Sequence, residues 1–578
     1  MKTNRQSFIH GAAILTVSLV IVKILGLLFK IPLTNILGGV GMGYYNTAYM
    51  LFSPVFSLAI GGLPAAVAKM IAENSALGRY RDVKKVFRIS MVLYLLMGIA
   101  GTAVMVFSAD FFVHVVKNPN AYWAVVAIAP TVLFGCIISA YRGYFEGLCD
   151  MRPTAVSQVV EMAVKLAAGL GFALWVMNYA AEQYELTGIV FGVVVQAPDQ
   201  VGAAALPFAA AASVVGVSFS NVAGAVYLII RRRRNDSITP EQRKTSPRPA
   251  GSRSLFKQLV VISFPICIGG FVLNVTSLID LLSMMNRLNF LVREHSAALL
   301  EVCSGAIPAG MPLSDLPNYL YGCYTGLAVS IFGIIPAIAG VFAKSALPNI
   351  ASSWARGNRD YTRRKIELVI RITALVTVPS GIGISVLAHP ILSVLFSSRT
   401  EEVNIAAPVL AIMGIGVIFQ AGSLLLFSIL QALGYANLPV RHMAAGGVAK
   451  IVLNMLLMSL PSLHVNGAAL STAACYLLIF CLEFSALARI TGMKFKFSNI
   501  FLRPIFAGIL CGIAAKTSYG FLIRCCGKGL SVALAIGISA VLYLIAALCV
   551  KAVERNDLEM VPGGKKVTKV LEKMKLMR

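Results

Sequence analysis

The sequence predicts an all-α polytopic membrane protein of about fourteen transmembrane helices, built as two six-helix repeats plus two C-terminal helices. Three observations carry this. The first is composition. The 578 residues are 58% hydrophobic and only 13% charged, with a mean hydropathy of +0.80, and ordinary soluble domains carry about 25% charged residues. The second is run length: about 20 apolar residues span a bilayer, and such runs recur along the whole chain. The third is an internal echo. In the stretch 142–166, RGYFEGLCDMRPTAVSQVVEMAVKL, Glu146, Leu148 and Lys165 are matched 285 positions later by Gln431, Leu433 and Lys450.

The fourteen runs fall at 8–36, 47–72, 87–113, 122–142, 155–179, 204–230, 258–286, 318–345, 369–395, 404–430, 441–460, 466–488, 500–522 and 530–551. The first is too long for the apolar core of a cleavable signal, and no small-residue cleavage site follows it. The stretch 186–205 is apolar but holds Gly188, Gly192, Pro198 and Asp199, and it reads as an outer loop, re-entrant in form. A second echo supports the duplication. Gly78-Arg79-Tyr80-Arg81-Asp82 after the second run matches Gly357-Asn358-Arg359-Asp360 after the eighth. Leu63-Pro64-Ala65 and Leu347-Pro348 precede them, and Pro153 and Pro439 follow the first pair of turns. The expected organisation is an N-lobe at 1–230, a basic linker at 231–257, a C-lobe at 258–490, two further helices at 491–552 and a basic tail at 553–578. Parallel repeats of this kind place a binding site between the bundles near the midplane.

The net charge of +26 would suggest nucleic acid in a soluble protein, so its distribution decides. The termini and even-numbered loops hold 38 Lys and Arg, the odd-numbered loops six. That asymmetry is topogenic. It places both termini in the cytoplasm, absorbs Arg231-Arg232-Arg233-Arg234 as a span flank, and removes nucleic acid from the expected partners. The tail, with Val567, Val570, Leu571 and Met574 at helical spacing among lysines, reads equally as a helix on the anionic inner leaflet or as a solvated end.

Several functional classes are excluded. No GxxxxGK[ST], HExxH or GxSxG occurs, the eleven cysteines form no CxxC, and the six histidines do not cluster. The reading is no enzyme, no catalytic residue, no metal and no cofactor. Cys267, Cys475, Cys481, Cys511 and Cys549 lie inside apolar runs as small hydrophobes.

An ionisable group at the centre of a span costs about 2.5–3.5 kcal/mol, so those kept are candidates. Lys23, Lys165 and Lys450 lie near the middle of their runs. Lys30, Lys69 and Lys516 lie nearer the ends, where lysines snorkel to the interface. The acidic set is Glu161, Asp280 and Glu483. Glu161 and Lys165, four residues apart, either form a structural pair or line a cavity. Asp280 and Arg287 near the outer end of the seventh run read equally as gate or interface ion pair. Six basic residues against three acidic ones within spans fit an anionic substrate, with Arg142 and Glu146 at its entrance, better than a cationic drug.

VKILGLLFKIPLTNILG, GGLPAAVAKMIAE, RGYFEG…MRPTAVSQVVE and VAKIVLN resemble the polysaccharide-transport branch of the MOP superfamily. The subgroup is that of stage V sporulation protein B and the MviN/MurJ-type lipid II flippases. The resemblance covers essentially the whole chain. It implies a V-shaped, two-lobed transporter of fourteen helices that exports undecaprenyl-pyrophosphate-linked saccharides by alternating access. It also implies basic cavity residues on the first helix, where Lys23 and Lys30 stand in place of a common Arg, and Glu146 stands where Gln is common. The expected function is therefore a flippase for lipid II-like cell-wall or polysaccharide precursors in a bacterial plasma membrane, with housekeeping or sporulation roles both open. Substrate contacts are expected from Lys23, Lys30, Arg142, Glu146, Glu161, Lys165 and Lys450. Gating or ion coupling is expected from Asp280, Arg287 and Glu483. Expected partners are the lipid-linked saccharide, membrane lipids and possible cell-wall synthesis enzymes. Two alternatives stand beside this: a multidrug or cation antiporter of the same fold, and a non-transporting scaffold for cell-wall or spore-coat assembly.

Overall fold

The structure is a computed structural model describing residues 8–234, 240–308, 310–435, 437–493 and 498–550. The tail expected at 553–578 lies outside the described residues. Packing divides the chain into two compact units: residues 1–286 with 315–322, and 287–314 with 323–578. The division falls at Asn286, inside the helix that the sequence reading assigns to the second lobe.

In the first unit, α1 (Phe8–Ile60) is broken at Gly38, whose φ of 61° and ψ of −169° leave helical space. α2 (Leu63–Ala76) follows a second break at Gly61-Gly62 with Pro64 in its first turn. The run 47–72, expected as one span, is therefore two helices. The two glycines let the backbone approach the segment around Cys267 closely, and the Gly62 N–H donates to Cys267 Sγ at 3.2 Å. Next come α3 (Tyr80–Val115), α4 (Tyr122–Ile128), α5 (Pro130–Gly147) and α6 (Arg152–Thr187). The loop expected over 186–205 is instead a hairpin, β1 (Ile189–Val190) antiparallel to β2 (Val193–Val194), with Ile189 opposite Val194. Its turn residues Phe191 and Gly192 both have positive φ, 47° and 85°, as a two-residue turn matched to strand twist requires. Trp175, Tyr179, Phe191, Phe208 and Trp123 form a continuous chain of ring contacts around it. Aromatic belts of this kind mark a membrane–water interface. α7 (Pro198–Arg234), α8 (Pro240–Lys244) and most of α9 (Ser252–Glu294) follow in the same unit.

The described part of the 231–257 linker is tied down. Ala250 N–H donates to Asp82 Oδ1 (2.8 Å), Lys85 Nζ to Ala250 O (2.6 Å) and Arg81 N–H to Ser246 Oγ (3.1 Å). Arg232 stacks 3.6 Å from the Phe87 ring centre. The linker thus docks on the first turn of α3.

After α10 (Ser296–Val302), which belongs to the second unit, α11 (Leu316–Gly322) belongs to the first; the second unit continues with a π-helical turn at Cys323–Ala328, α12 (Val329–Phe332), α13 (Ile334–Ala355), α14 (Arg359–Val386), α15 (Ala388–Leu395), α16 (Thr400–Ala432), α17 (Asn437–Leu457), α18 (His464–Thr491), α19 (Arg503–Leu522) and α20 (Lys528–Cys549). Among the described residues, twelve helical stretches are long and apolar enough to cross a membrane. One of the twelve, Val17–Ala76, takes in most of the first run and all of the second, and the 43-residue α9 covers the seventh without being among them. The chain is a nearly all-helical multi-pass membrane protein, with twelve such stretches where fourteen spans were expected.

The two sequence echoes are one piece of backbone geometry repeated. At the first, Gly78 N–H bonds Ser75 O and Arg79 N–H bonds Asn74 O; at the second, Gly357 bonds Trp354 and Asn358 bonds Ser353. Around residue 149, Cys149 bonds Glu146 and Asp150 bonds Phe145, as Gly434 bonds Gln431 and Tyr435 bonds Leu430. All four are helix C-terminal closures with a left-handed residue satisfying orphan carbonyls. Three use glycine. The fourth uses Cys149, exposed, at φ 60°. A side chain in that conformation costs about 1–2 kcal/mol. Cys149→Gly is therefore expected to stabilise the protein by about 1 kcal/mol, read as a raised midpoint in thermal unfolding; an unchanged or lowered midpoint would contradict the strain.

Candidate functional site

The site is built where α5, α6 and α7 meet α1. α6 and α7 approach at backbone distance because Gly169 and Gly216 face each other, and a Cβ on Gly216 would strike the Gly169 backbone. Small residues at helix crossings allow this in membranes. Two turns along α7, Gly224 leaves the space that the Glu161 carboxylate fills.

That carboxylate takes Arg142 Nη2 at 2.5 Å, with both side chains about one-fifth exposed. Arg142 also donates through Nε and Nη2 to Ser157 Oγ at 3.0 and 2.9 Å. A guanidinium fork matches this arrangement of acceptors. The i,i+4 pairing of Glu161 with Lys165 is thus not formed: Glu161 bonds across to α5. Glu146, one turn beyond Arg142, is half-buried.

Lys165 instead donates Nζ to the Tyr49 hydroxyl at 3.0 Å. The same ammonium lies 4.9 Å from the Phe29 ring centre and 5.2 Å from that of Tyr49. Cation–π contacts give about 0.5–2 kcal/mol, which holds the charge without neutralising it. No carboxylate lies within ion-pair distance of Lys165 among the described residues. Lys30 is half-buried and within electrostatic reach of Lys165. Lys23, two turns earlier on α1, is exposed. Lys69 pairs with Glu73 at 3.9 Å on an exposed face, as an end-of-span lysine should.

Tyr49 and Phe29 escape a search for ionisable groups. Their signal is the aromatic spacing in YYNTAYMLFSPVF: Tyr45, Tyr49, Phe52 and Phe56 share one helix face, with successive rings in contact. Phe52, Ser53, Phe56, Ser57, Ile60, Gly61 and Asn274 line a cavity of about 300 Å³ at the end of that face.

In the second unit Lys450 is half-buried on α17. It stands thirteen residues beyond the first residue of its helix, Asn437, as Lys165 does beyond Arg152. Glu483 is buried at 1% exposure, and its Oε2 has no hydrogen-bond partner among the described residues. Arg287 Nε donates to Met455 Sδ at 3.1 Å and Nη1 to Ser459 Oγ at 3.4 Å. Asp280 is half-buried on α9, in the first unit. No group of three or more His, Cys, Asp or Glu that would hold a metal occurs among the described residues.

The fold is shared with solved membrane-protein structures. It matches an inward-facing multidrug resistance MATE family transporter of the MOP superfamily at TM-score 0.59 and 12% identity, over 84% of this chain and all of the other. It matches lipid II flippase MurJ in an inward closed conformation at TM-score 0.62 and 13% identity, over 92% and 97% of the two chains. In sequence, residues 322–525 match the family model described as lipid II flippase MurJ, and residues 8–198 that described as polysaccharide biosynthesis protein. Stage V sporulation protein B of Bacillus subtilis (strain 168) is 23% identical over 560 residues, 96% of this chain and 98% of its own. Lipid II flippase MurJ of the same organism is 25% identical over 526 residues, 88% of each. The resemblance read from the motifs therefore holds along nearly the whole chain.

Removing one member of a buried ion pair strands the other, at about 3–5 kcal/mol, whereas replacing both by apolar groups is close to neutral. Glu161→Leu is expected to lower the unfolding midpoint strongly, and Arg142→Leu with Glu161→Leu to recover most of the loss. Equal losses in the single and double variants would show that the pair is not coupled.

Proposed function

We propose that this protein is a flippase that moves undecaprenyl-pyrophosphate-linked saccharide precursors, lipid II-like in form, outward across a bacterial plasma membrane by alternating access. Transport, not catalysis, is its activity. The observation that carries the reading is Lys165: a lysine near mid-span, held by aromatic faces and a phenol, with no carboxylate within ion-pair distance among the described residues. With Lys30 beside it, such a group suits a pyrophosphate. Lys450 at the same depth in the second repeat supplies a second cation. Lys23 extends the set along α1, and Arg142 with Glu146 stands at the entrance, where the ion pair with Glu161 orients the guanidinium. Both termini lie in the cytoplasm on the charge asymmetry, so the cargo's negative charge moves outward with an inside-negative potential. That assists by about 2.3 kcal/mol per charge per 100 mV.

One observation favours a second reading, a cation antiporter on the same fold: the buried carboxylate of Glu483. Within the flippase reading we assign Glu483 to ion coupling, with Asp280 and Arg287 as gating residues. Glu483→Gln is then expected to abolish acceleration of transport by a proton gradient while leaving uncoupled movement intact; unchanged acceleration would remove Glu483 from coupling.

The deciding experiment is translocation of labelled lipid II in proteoliposomes. Lys165→Met and Lys450→Met are each expected to slow it about tenfold or more, the loss of a charge-assisted contact. Wild-type rates in both variants would remove the lysines from the site. Failure of folded wild type to move lipid II would reject that cargo, and a panel of other undecaprenyl-linked glycans would follow.

A further inference from the structure

We propose that the second half of α1 carries a subsite for the saccharide that is bonded directly to the pyrophosphate. The inference rests on the flippase reading and adds where the sugar lies. Tyr49 is shared between the cation and the aromatic ladder: its hydroxyl accepts from Lys165 and its ring contacts Phe52 at 5.9 Å between centres. Phe52 contacts Phe56 at 4.7 Å. From Tyr49 to Phe56 the helix rises about 10 Å, the reach of a disaccharide. In the other direction the ladder is closed, because Tyr45 and Phe29 are only 5% and 2% exposed; Phe52 is buried as well, and the partly exposed rings are those of Tyr49 and Phe56. The cavity opens at the Phe56 end, beside Ser57 and Asn274. A sugar attached to a phosphate at Lys165 must lie within a few ångströms of it, and this is the side with space.

The lining matches a pyranose better than a lipid tail. A sugar ring presents C–H groups on its faces, which stack on the negative face of an aromatic ring, and hydroxyl or amide groups at its rim. Here aromatic faces alternate with Ser53, Ser57 and Asn274. Ser53 already donates to Tyr49 O at 2.8 Å, so its oxygen is presented as an acceptor. A polyisoprenyl chain has no use for three polar side chains. A cationic drug would be repelled by Lys165. Phe56 is held in place because Gly135 leaves room for its ring: a Cβ there would strike Phe56.

The test measures binding of two probes to the full chain in nanodiscs: undecaprenyl pyrophosphate, and the same lipid bearing an N-acetylated disaccharide. Wild type is expected to bind the disaccharide lipid more tightly. Phe56→Leu should weaken the disaccharide lipid about tenfold, the scale of one lost stacking contact with its burial, and Ser57→Val about fivefold, the scale of one lost hydrogen bond, both leaving the bare lipid unchanged. Phe56→Tyr should retain both. Lys165→Met should weaken both equally. Equal wild-type affinity for the two lipids, or equal weakening of both by Phe56→Leu, overturns the subsite while the flippase reading stands. Wild type that binds neither lipid overturns the flippase reading and the subsite with it.

Discussion

The pairing of Arg142 with Glu161 is the constraint on which the rest of the candidate site depends. A guanidinium and a carboxylate within a membrane-spanning bundle are each costly alone. Together with Ser157 they bind α5 to α6. The pair requires α7 to come close, which the small residues Gly216 and Gly224 permit. Its consequence appears one turn along α6. Glu161 is engaged across the bundle, and Lys165 turns to Tyr49 and Phe29 on α1. A stability element and an electrostatic one are thus set by the same four residues of helix.

The two repeats agree in backbone and differ in chemistry. Their turns share hydrogen-bond pattern and left-handed residues, and each places a lysine at the same depth in the helix that follows. The ion pair has no counterpart: at the positions 285 residues after Arg142 and Glu161 stand Phe427 and Gly446. Gly446 is buried against Ile479 and Cys475 instead. The second unit carries its buried acid elsewhere, at Glu483 on α18. The turns share what the backbone needs, while the side chains around them differ.

The helices were legible in the sequence because hydropathy over twenty residues is a property of the chain alone. So were the repeats, since left-handed closures favour glycine and are visible as matched motifs. The break at Gly61-Gly62 was missed inside an apolar run, where nothing in hydropathy marks it. The hairpin at 189–194 was missed because two-residue strands leave no periodic signal. The lysines were legible as costly residues, but their partners were not. Glu161 has a cation four residues along its own helix and another on α5, and only the packing of three helices selects Arg142. The role of Tyr49 likewise depends on a contact across 116 positions.

The placement of the indoles has its own consequence. The chain holds three tryptophans. Trp123 and Trp175 are exposed beside the hairpin of the first unit. Trp354, in the second, lies under the Arg359 guanidinium at 3.3 Å from ring centre to carbon. The native protein therefore carries separate optical reporters for its two units. Tryptophan emission, excited selectively over tyrosine, originates at the hairpin alone in a Trp354→Phe variant, and the difference from wild type isolates the second unit without any added label.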